Sequence, residues 1–325
     1  MRPTEAIPGV VAVADRLNSI VDDRVPDSGR NDMPNSAGVT VAGVDWSEAS
    51  TAAVRWAAAD AARHHGLLHL VHGFSPFTGR YGQAMPALRA LHDDLADNAR
   101  DFLAAAVRVA RDAGGEELEV TTAMPEEKPA EALIAASRGA RALVLGASGD
   151  GVLAGTTAVQ VVSHAHCPVV VVRGQHGPAA GPVVAGVDGS PFSERALAAA
   201  FEEACRRGAP LVAVHAWSDD DLLGGLGSFP LVVDWDAVRQ DEELVLAERM
   251  AGRQERYPDV KVDRVVVRDR PRHQLIDWSG QAQLVVVGSR GRGGFAGLLL
   301  GSTSQALIHH AECPVMVVRP GGEPR

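Results

Sequence analysis

The stretch Val287–Ser304 reads VGSRGRGGFAGLLLGSTS: the end of an apolar run, a glycine-rich loop, then the opening of a helix. Gly288 and Gly291 are separated by two residues, nine more follow, and Gly301-Ser302 close the loop. Glycine lets a backbone approach a ligand closely and adopt positive φ. Ser302, Thr303 and Ser304 are expected at a helix N-terminus, whose free N–H groups and dipole favour an anion. Arg290 and Arg292 add two cations to the same loop. A strand, a glycine loop and a helix N-terminus in this order have the chemistry of a phosphate cradle.

Outward from this loop, the chain repeats itself. Val41–Ser50 (VAGVDWSEAS) reappears as Val184–Ser193 (VAGVDGSPFS), and the same offset carries Val71-His72 onto Val214-His215. Ala142–Gly149 (ALVLGASG) answers Leu284–Gly291 (LVVVGSRG), and Cys167–Arg173 (CPVVVVR) answers Cys313–Arg319 (CPVMVVR). Shared order over both halves marks a tandem duplication, and 325 residues suit two domains of about 150 each. The expected boundaries are a flexible leader at 1–37, a first domain at 38–174, a linker at 175–182, a second domain at 183–320 and a tail at 321–325. The leader is rich in proline and polar residues, and Met33 offers an alternative translation start.

Each repeat reads as five short strands alternating with helices. In the second, strands are expected near Val183–Asp188, Leu211–Trp217, Val260–Val267, Leu284–Ser289 and Pro314–Arg319. Helices are expected near Ser193–Arg207, Trp235–Tyr257, Arg272–Gln281 and Ser302–His310. Continuous apolar strands suit a parallel sheet covered by helices on both faces. The fold class is therefore α/β, two tandem doubly wound parallel-sheet domains of flavodoxin-like or adenine-nucleotide-alpha-hydrolase-like type. In a strand order of 2-1-3-4-5 or 3-2-1-4-5, a crevice opens where the chain reverses direction. With strand 1 beside strand 4, Gly186–Ser190 and the loop from Gly288 face one pocket.

Composition narrows the function classes. Apolar content of 46 % and charged content of 22 % are those of a globular protein. A formal net charge of −10 argues against nucleic acid held by phosphate neutralisation. Three scattered cysteines fit a reducing cytoplasm better than a disulfide framework. No apolar run reaches the roughly 18 residues of a membrane span. No signal peptide is expected, because Glu5 and Asp15 interrupt any apolar core near the start.

At these residues the chain resembles the universal stress protein family in its tandem form, over about residues 38–320. The family signature is a Gly, two residues, a Gly, nine residues, then Gly-Ser or Gly-Thr, matched by Gly288, Gly291, Gly301 and Ser302. The resemblance implies ATP in the second domain. Asp188 would face the adenine–ribose side, with backbone near Gly186 and Ala216 forming the base pocket. Gly288 and Gly291 would let the loop wrap the phosphates. Ser302, Thr303 and Ser304 would donate to phosphate oxygens, with Mg as the divalent cation to share them. Arg290 or Arg292 would clamp phosphate, since a guanidinium suits bidentate contacts. The first repeat keeps Gly43, Asp45, Gly146, Gly149 and the Gly155-Thr156 helix start, but five residues replace nine in its loop. Ser148 and Asp150 stand where the arginines would be, and Trp46 where Gly189 would be. Nucleotide is therefore expected chiefly in the second domain.

The remaining motifs carry less. His72 and His215 end the second strand of each repeat and read as structural, because no partnered acid is evident. His164–Cys167 and His309–Cys313 do not read as zinc sites, because each cysteine starts a strand after a helix has ended and convergence is not required. Val287–Gly291 and Gly146–Asp150 miss the Gly-x-Ser-x-Gly nucleophile elbow by one glycine each. No catalytic set for activating water is evident, so any ATPase activity is expected to be slow. By the resemblance the final strands mediate contact between repeats. A homodimer and a regulatory protein partner reading the bound state complete the expectation, with nucleotide-independent interaction as the alternative.

Overall fold

The computed structural model describes residues 38–75, 86–147, 156–173, 180–217, 234–292 and 299–319. The leader, most of the linker, Gly149, Gly155 and the tail lie outside the described residues. Two compact units result. One runs through Trp46, resumes from Val54 to Val144 and includes Ala165–Cys167; the other holds Ser47–Ala53, Leu145–His164 and the chain from Pro168 onward.

The first repeat contributes β1 (Val39–Gly43), α1 (Glu48–Arg63), β2 (Leu67–Val71), α2 (Pro86–Gly114), β3 (Val120–Ala123), α3 (Pro129–Ala136), β4 (Ala142–Gly146), α4 (Thr156–His164) and β5 (Val169–Val172). The second contributes β6 (Val183–Gly186), α5 (Pro191–Arg207), β7 (Leu211–Trp217), α6 (Trp235–Arg256), β8 (Val262–Arg268), α7 (Pro271–Ser279), β9 (Leu284–Gly288), α8 (Ser302–His310) and β10 (Val315–Val318). In the first unit β1 lies between β2 and β4, and β2 also pairs β3, all parallel. In the second, β6 lies between β7 and β9, β7 pairs β8, and β9 pairs β10, again parallel. The order within the second repeat is thus 3-2-1-4-5, one of the two expected. Every residue of β7, β9 and β10 is buried, as a sheet covered on both faces requires.

Local chemistry sets the helix ends that matter for the site. Ser190 caps α5: its Oγ accepts the Ser193 N–H at 3.2 Å, Pro191 fills the first turn, and left-handed Gly208 ends the helix. On its inner face Leu197, Ala200, Phe201 and Ala204 have no exposed surface. Removing a buried leucine such as Leu197 typically costs about 2–5 kcal/mol. Helix α6 is seated at its first turn by Trp235, which stacks on Trp217 at 5.8 Å and lies under the Arg268 guanidinium at 3.8 Å. No described helix is long and apolar enough to cross a membrane.

The two final strands pair with each other, the contact between repeats that the resemblance implies. β5 and β10 are antiparallel, matching Val169 with Val317, Val170 with Met316 and Val171 with Val315. The register is symmetric about Val170–Met316, which gives the second unit a local twofold. Side chains repeat it: Arg173 Nη1 donates to the Ile308 carbonyl at 3.3 Å, and Arg319 Nη1 to the Val162 carbonyl at 3.1 Å.

Cys167 and Cys313, which precede these strands, are buried, and burial pushes each thiol up to about 12. Cys205 is exposed on α5. Thiolate is the reactive form. At pH 8 an alkylating reagent should therefore label the native chain at Cys205 alone, with Cys167 and Cys313 reacting only in denaturant. Mass mapping of the labelled chain checks this.

Candidate functional site

Because β6 and β9 are parallel neighbours, in register from Val183–Leu284 to Ala185–Val286, the loops after them leave the sheet side by side. They meet at Asp188. Its Oδ1 accepts the Ser190 N–H and its Oδ2 the Arg292 N–H, each at 2.9 Å, so one carboxylate ties the two loops across 104 residues. Burial alone would raise the Asp188 carboxyl, but hydrogen bonds from Ser190, Ser193 and Arg292 hold it below its ordinary value. Gly291 is what admits the carboxylate: a Cβ there would lie 2.6 Å from Asp188 Oδ2.

The loop is closed at its far end by Gly301, whose N–H donates to the Ser289 carbonyl at 2.8 Å. Gly301 is also the N-cap of α8 and offers no side-chain cap, which leaves the first-turn N–H groups at Ser302 and Thr303 open to an anion. Ser302 is exposed and Thr303 half-buried. Ser304 has a different task from the one expected. It is buried, and its Oγ donates to the Gly288 carbonyl at 2.7 Å, fastening the helix to the strand end. Arg292 is exposed; Arg290 is half-buried, 5.6 Å from the Phe192 ring centroid, with its Nε unpartnered among the described residues.

Three of the expected ligand glycines are packed closely against neighbouring chain. A Cβ on Gly288 would come within 2.8–3.0 Å of Phe192 Cβ and backbone, where α5 crosses the end of β9. The corresponding Gly146 would meet the Ala49 carbonyl group at 2.3–2.4 Å. Gly186 packs against Leu275 and Val287. Ala216 is buried inside β7 opposite Val267, and its neighbour His215 forms the wall of the cleft. Of the first-repeat candidates, Gly43 and Gly146 end strands, Asp45 is exposed and Thr156 opens α4.

Sequence reasoning missed the contribution of α6. His215 Nδ1 donates to the Val187 carbonyl at 2.7 Å, and its Nε2 lies 2.9 Å from Glu242 Oε2, so the acid partner exists after all. One helical turn and more beyond, Arg249 Nη1 donates to Glu194 Oε1 at 2.6 Å and to the Gly189 carbonyl at 3.2 Å. Arg253 Nη2 donates to the Glu194 carbonyl and to Oε2 at 2.9 and 3.3 Å. The available signal was spacing: Glu242, Arg249 and Arg253 lie three or four residues from buried Leu246 and Met250, hence on the sheet-facing side. A shallow cleft, open to solvent, is lined by Val187, Gly189, His215, Glu242, Arg249 and Arg292. In the first unit His72 makes the same Nδ1 bond to the Val44 carbonyl at 2.8 Å, but its ring faces Trp46 at 5.5 Å, and Trp46 meets Phe102 edge-on at 4.8 Å.

The universal stress protein family model matches residues 39–173 and 180–319. The chain belongs to the universal stress protein family. It is similar to universal stress protein Rv2005c of Mycobacterium tuberculosis, 44 % identical over 289 residues, covering 86 % of this chain and 96 % of that protein. Rv2623 of the same organism is 42 % identical over 296 residues, covering 88 % and 97 %. Among solved structures, a universal stress protein from Archaeoglobus fulgidus superposes with a TM-score of 0.65 at 19 % identity, covering 88 % of this chain and 100 % of that one, a likeness of fold. The two matched segments fit the two repeats read in the sequence.

The glycine contacts separate two effects. Gly288→Ala should lower the urea-unfolding free energy by about 1–3 kcal/mol, because Phe192 backbone has to move. Gly291→Ala should cost less stability, since only a carboxylate tip has to yield, while breaking the Asp188–Arg292 bond. The depressed Asp188 carboxyl adds a pH signature. Its contribution is fully present above its ordinary value of 3.8 and is lost as pH falls through the lower folded value. The parent and Asp188→Asn should differ in stability at neutral pH and converge in strong acid, as paired denaturation curves would report.

Proposed function

We propose that this universal stress protein is an ATP-binding regulator of a stress or growth response, with nucleotide held chiefly in the second repeat. The observation that carries the reading is the junction of the two loops at Asp188, beside an uncapped helix N-terminus and two arginines. In this reading Asp188 orients the ribose side, with Gly186 and Ala216 shaping the wall behind it. Gly291 admits the loop, and Arg292 with the Ser302 and Thr303 N–H groups and hydroxyls takes the phosphates, Arg290 assisting. Gly288 and Ser304 hold the cradle rather than the ligand. Mg would be shared with phosphate oxygens, adding positive charge where the phosphates gather.

Binding rather than turnover is the functional event. Glu242, the carboxylate in the cleft, is bonded to His215, and that bond competes with any role as a base toward water. Occupancy shifts whichever conformation binds nucleotide better, and a regulatory protein partner reads that state. The first repeat, bounded at 38–174 and joined by 175–182 to a second at 183–320, binds nucleotide weakly or not at all. Trp46, itself packed on Phe102, faces its His72, and its loop carries neither arginine. We further assign the chain to the cytoplasm and to a homodimer.

Calorimetric titration of the nucleotide-stripped chain with ATP tests this directly. The expected result is one site per chain, lost in Gly291→Ala/Ser302→Ala and retained in Gly149→Ala. Absence of binding in the parent chain would leave a nucleotide-independent interaction protein as the better account.

A further inference from the structure

We infer that Arg249, on α6 and outside the glycine loop, is a further guanidinium contact to the ligand's phosphate groups, held in reserve by Glu194. The inference rests on the nucleotide reading above and extends its site to a helix that the glycine signature does not include.

Gly189 is where the case begins. It has φ of +75°, and a Cβ there would lie 2.4 Å from Arg292 Nη2 and 3.0 Å from both Cζ and Nη2 of Arg249. Two guanidiniums, one from the loop after β9 and one from α6, therefore converge over a single backbone position at the rim of the cleft that both line. Like charges this close favour an anion between them. The nearby carboxylates are already engaged. Asp188 accepts two backbone N–H groups, Glu242 is bonded to His215, and Glu194 is shared between Arg249 and Arg253. Arg249 Nε is buried without a hydrogen-bond partner among the described residues, so part of the guanidinium edge remains unspent. A planar five-donor fork of this kind matches phosphate oxygens, singly or bidentately.

Glu194 makes the contact conditional. It holds Arg249 at 2.6 Å, and a phosphate arriving over Gly189 competes with it for the same guanidinium. Exchange of Glu194 for phosphate loosens one of the ties that fix α6 to α5, while Arg253 keeps the other. Nucleotide occupancy would thereby reach a helix that presents an exposed Leu244 to solvent.

The test titrates the full chain and its variants with ATP, adenosine and inorganic pyrophosphate. Arg249→Gln should weaken ATP by about tenfold or more while leaving adenosine unchanged. Arg249→Lys should recover only part of that loss, and Glu194→Gln should tighten ATP by freeing Arg249. Pyrophosphate binding that is also lost in Arg249→Gln would identify the site as one for bare phosphate groups; pyrophosphate indifference with ATP loss would tie it to nucleotide. An unchanged ATP affinity in Arg249→Gln would overturn the inference and leave the nucleotide reading intact. Equal losses for ATP and adenosine would do the same, as would weakening by Glu194→Gln. A parent chain that binds neither ATP nor pyrophosphate overturns both. Should Arg249→Gln lose its fold by circular dichroism, the sign of the Glu194→Gln effect decides.

Discussion

In both repeats the helix that follows the first strand crosses the end of the fourth strand at a distance only a glycine tolerates. Phe192 backbone sits over Gly288, and the Ala49 carbonyl over Gly146. From that closeness the second repeat derives its site. Because α5 starts hard against β9, Asp188 at the head of the same turn lies within hydrogen-bond reach of the loop beyond β9. The Ser304 hydroxyl then ties α8 back to the same glycine's carbonyl. A methyl group at one strand end would disturb a helix, a carboxylate and a second helix together, since packed interiors transmit displacement rather than absorb it.

The two repeats share this frame and differ in what occupies the neighbouring space. Each places a histidine at the end of its second strand and bonds Nδ1 to the carbonyl that precedes the acid. In the second repeat the other ring nitrogen meets Glu242 and a cleft opens beside it. In the first, the ring of Trp46 lies tilted against His72, and Trp46 remains 57 % exposed. One substitution of Trp for Gly thus accompanies a change from a polar rim to an aromatic one.

Strands and helices of the second repeat were legible to within a few residues, because buried parallel strands are unbroken apolar runs such as LVVV at Leu284–Val287. The choice of 3-2-1-4-5 over 2-1-3-4-5 was not, since both orders present the same run of elements and differ only in where each crossover lands. At the site, Asp188 and the α8 start could be placed by spacing. The duties of Gly288 and Gly291 could not: a glycine that admits a helix and one that admits a carboxylate look alike until the third dimension distinguishes them. Glu242 and Arg249 stayed hidden because charged residues are spread along α6, and only two of its residues, Leu246 and Met250, are both apolar and buried enough to mark the inner face.

The antiparallel match of β5 and β10 has a consequence for how the chain behaves at low concentration. Two edges that would otherwise need a second molecule find each other within one polypeptide, where tethering supplies an effective concentration on the order of millimolar. The association therefore survives dilution that would separate independent partners. It also closes two apolar edges, VVVV and VMVV, that would otherwise template growth of a foreign sheet. The same symmetry carries a hazard: a register this self-complementary can be satisfied by exchange between two chains as well as within one, the usual route to a domain-swapped pair.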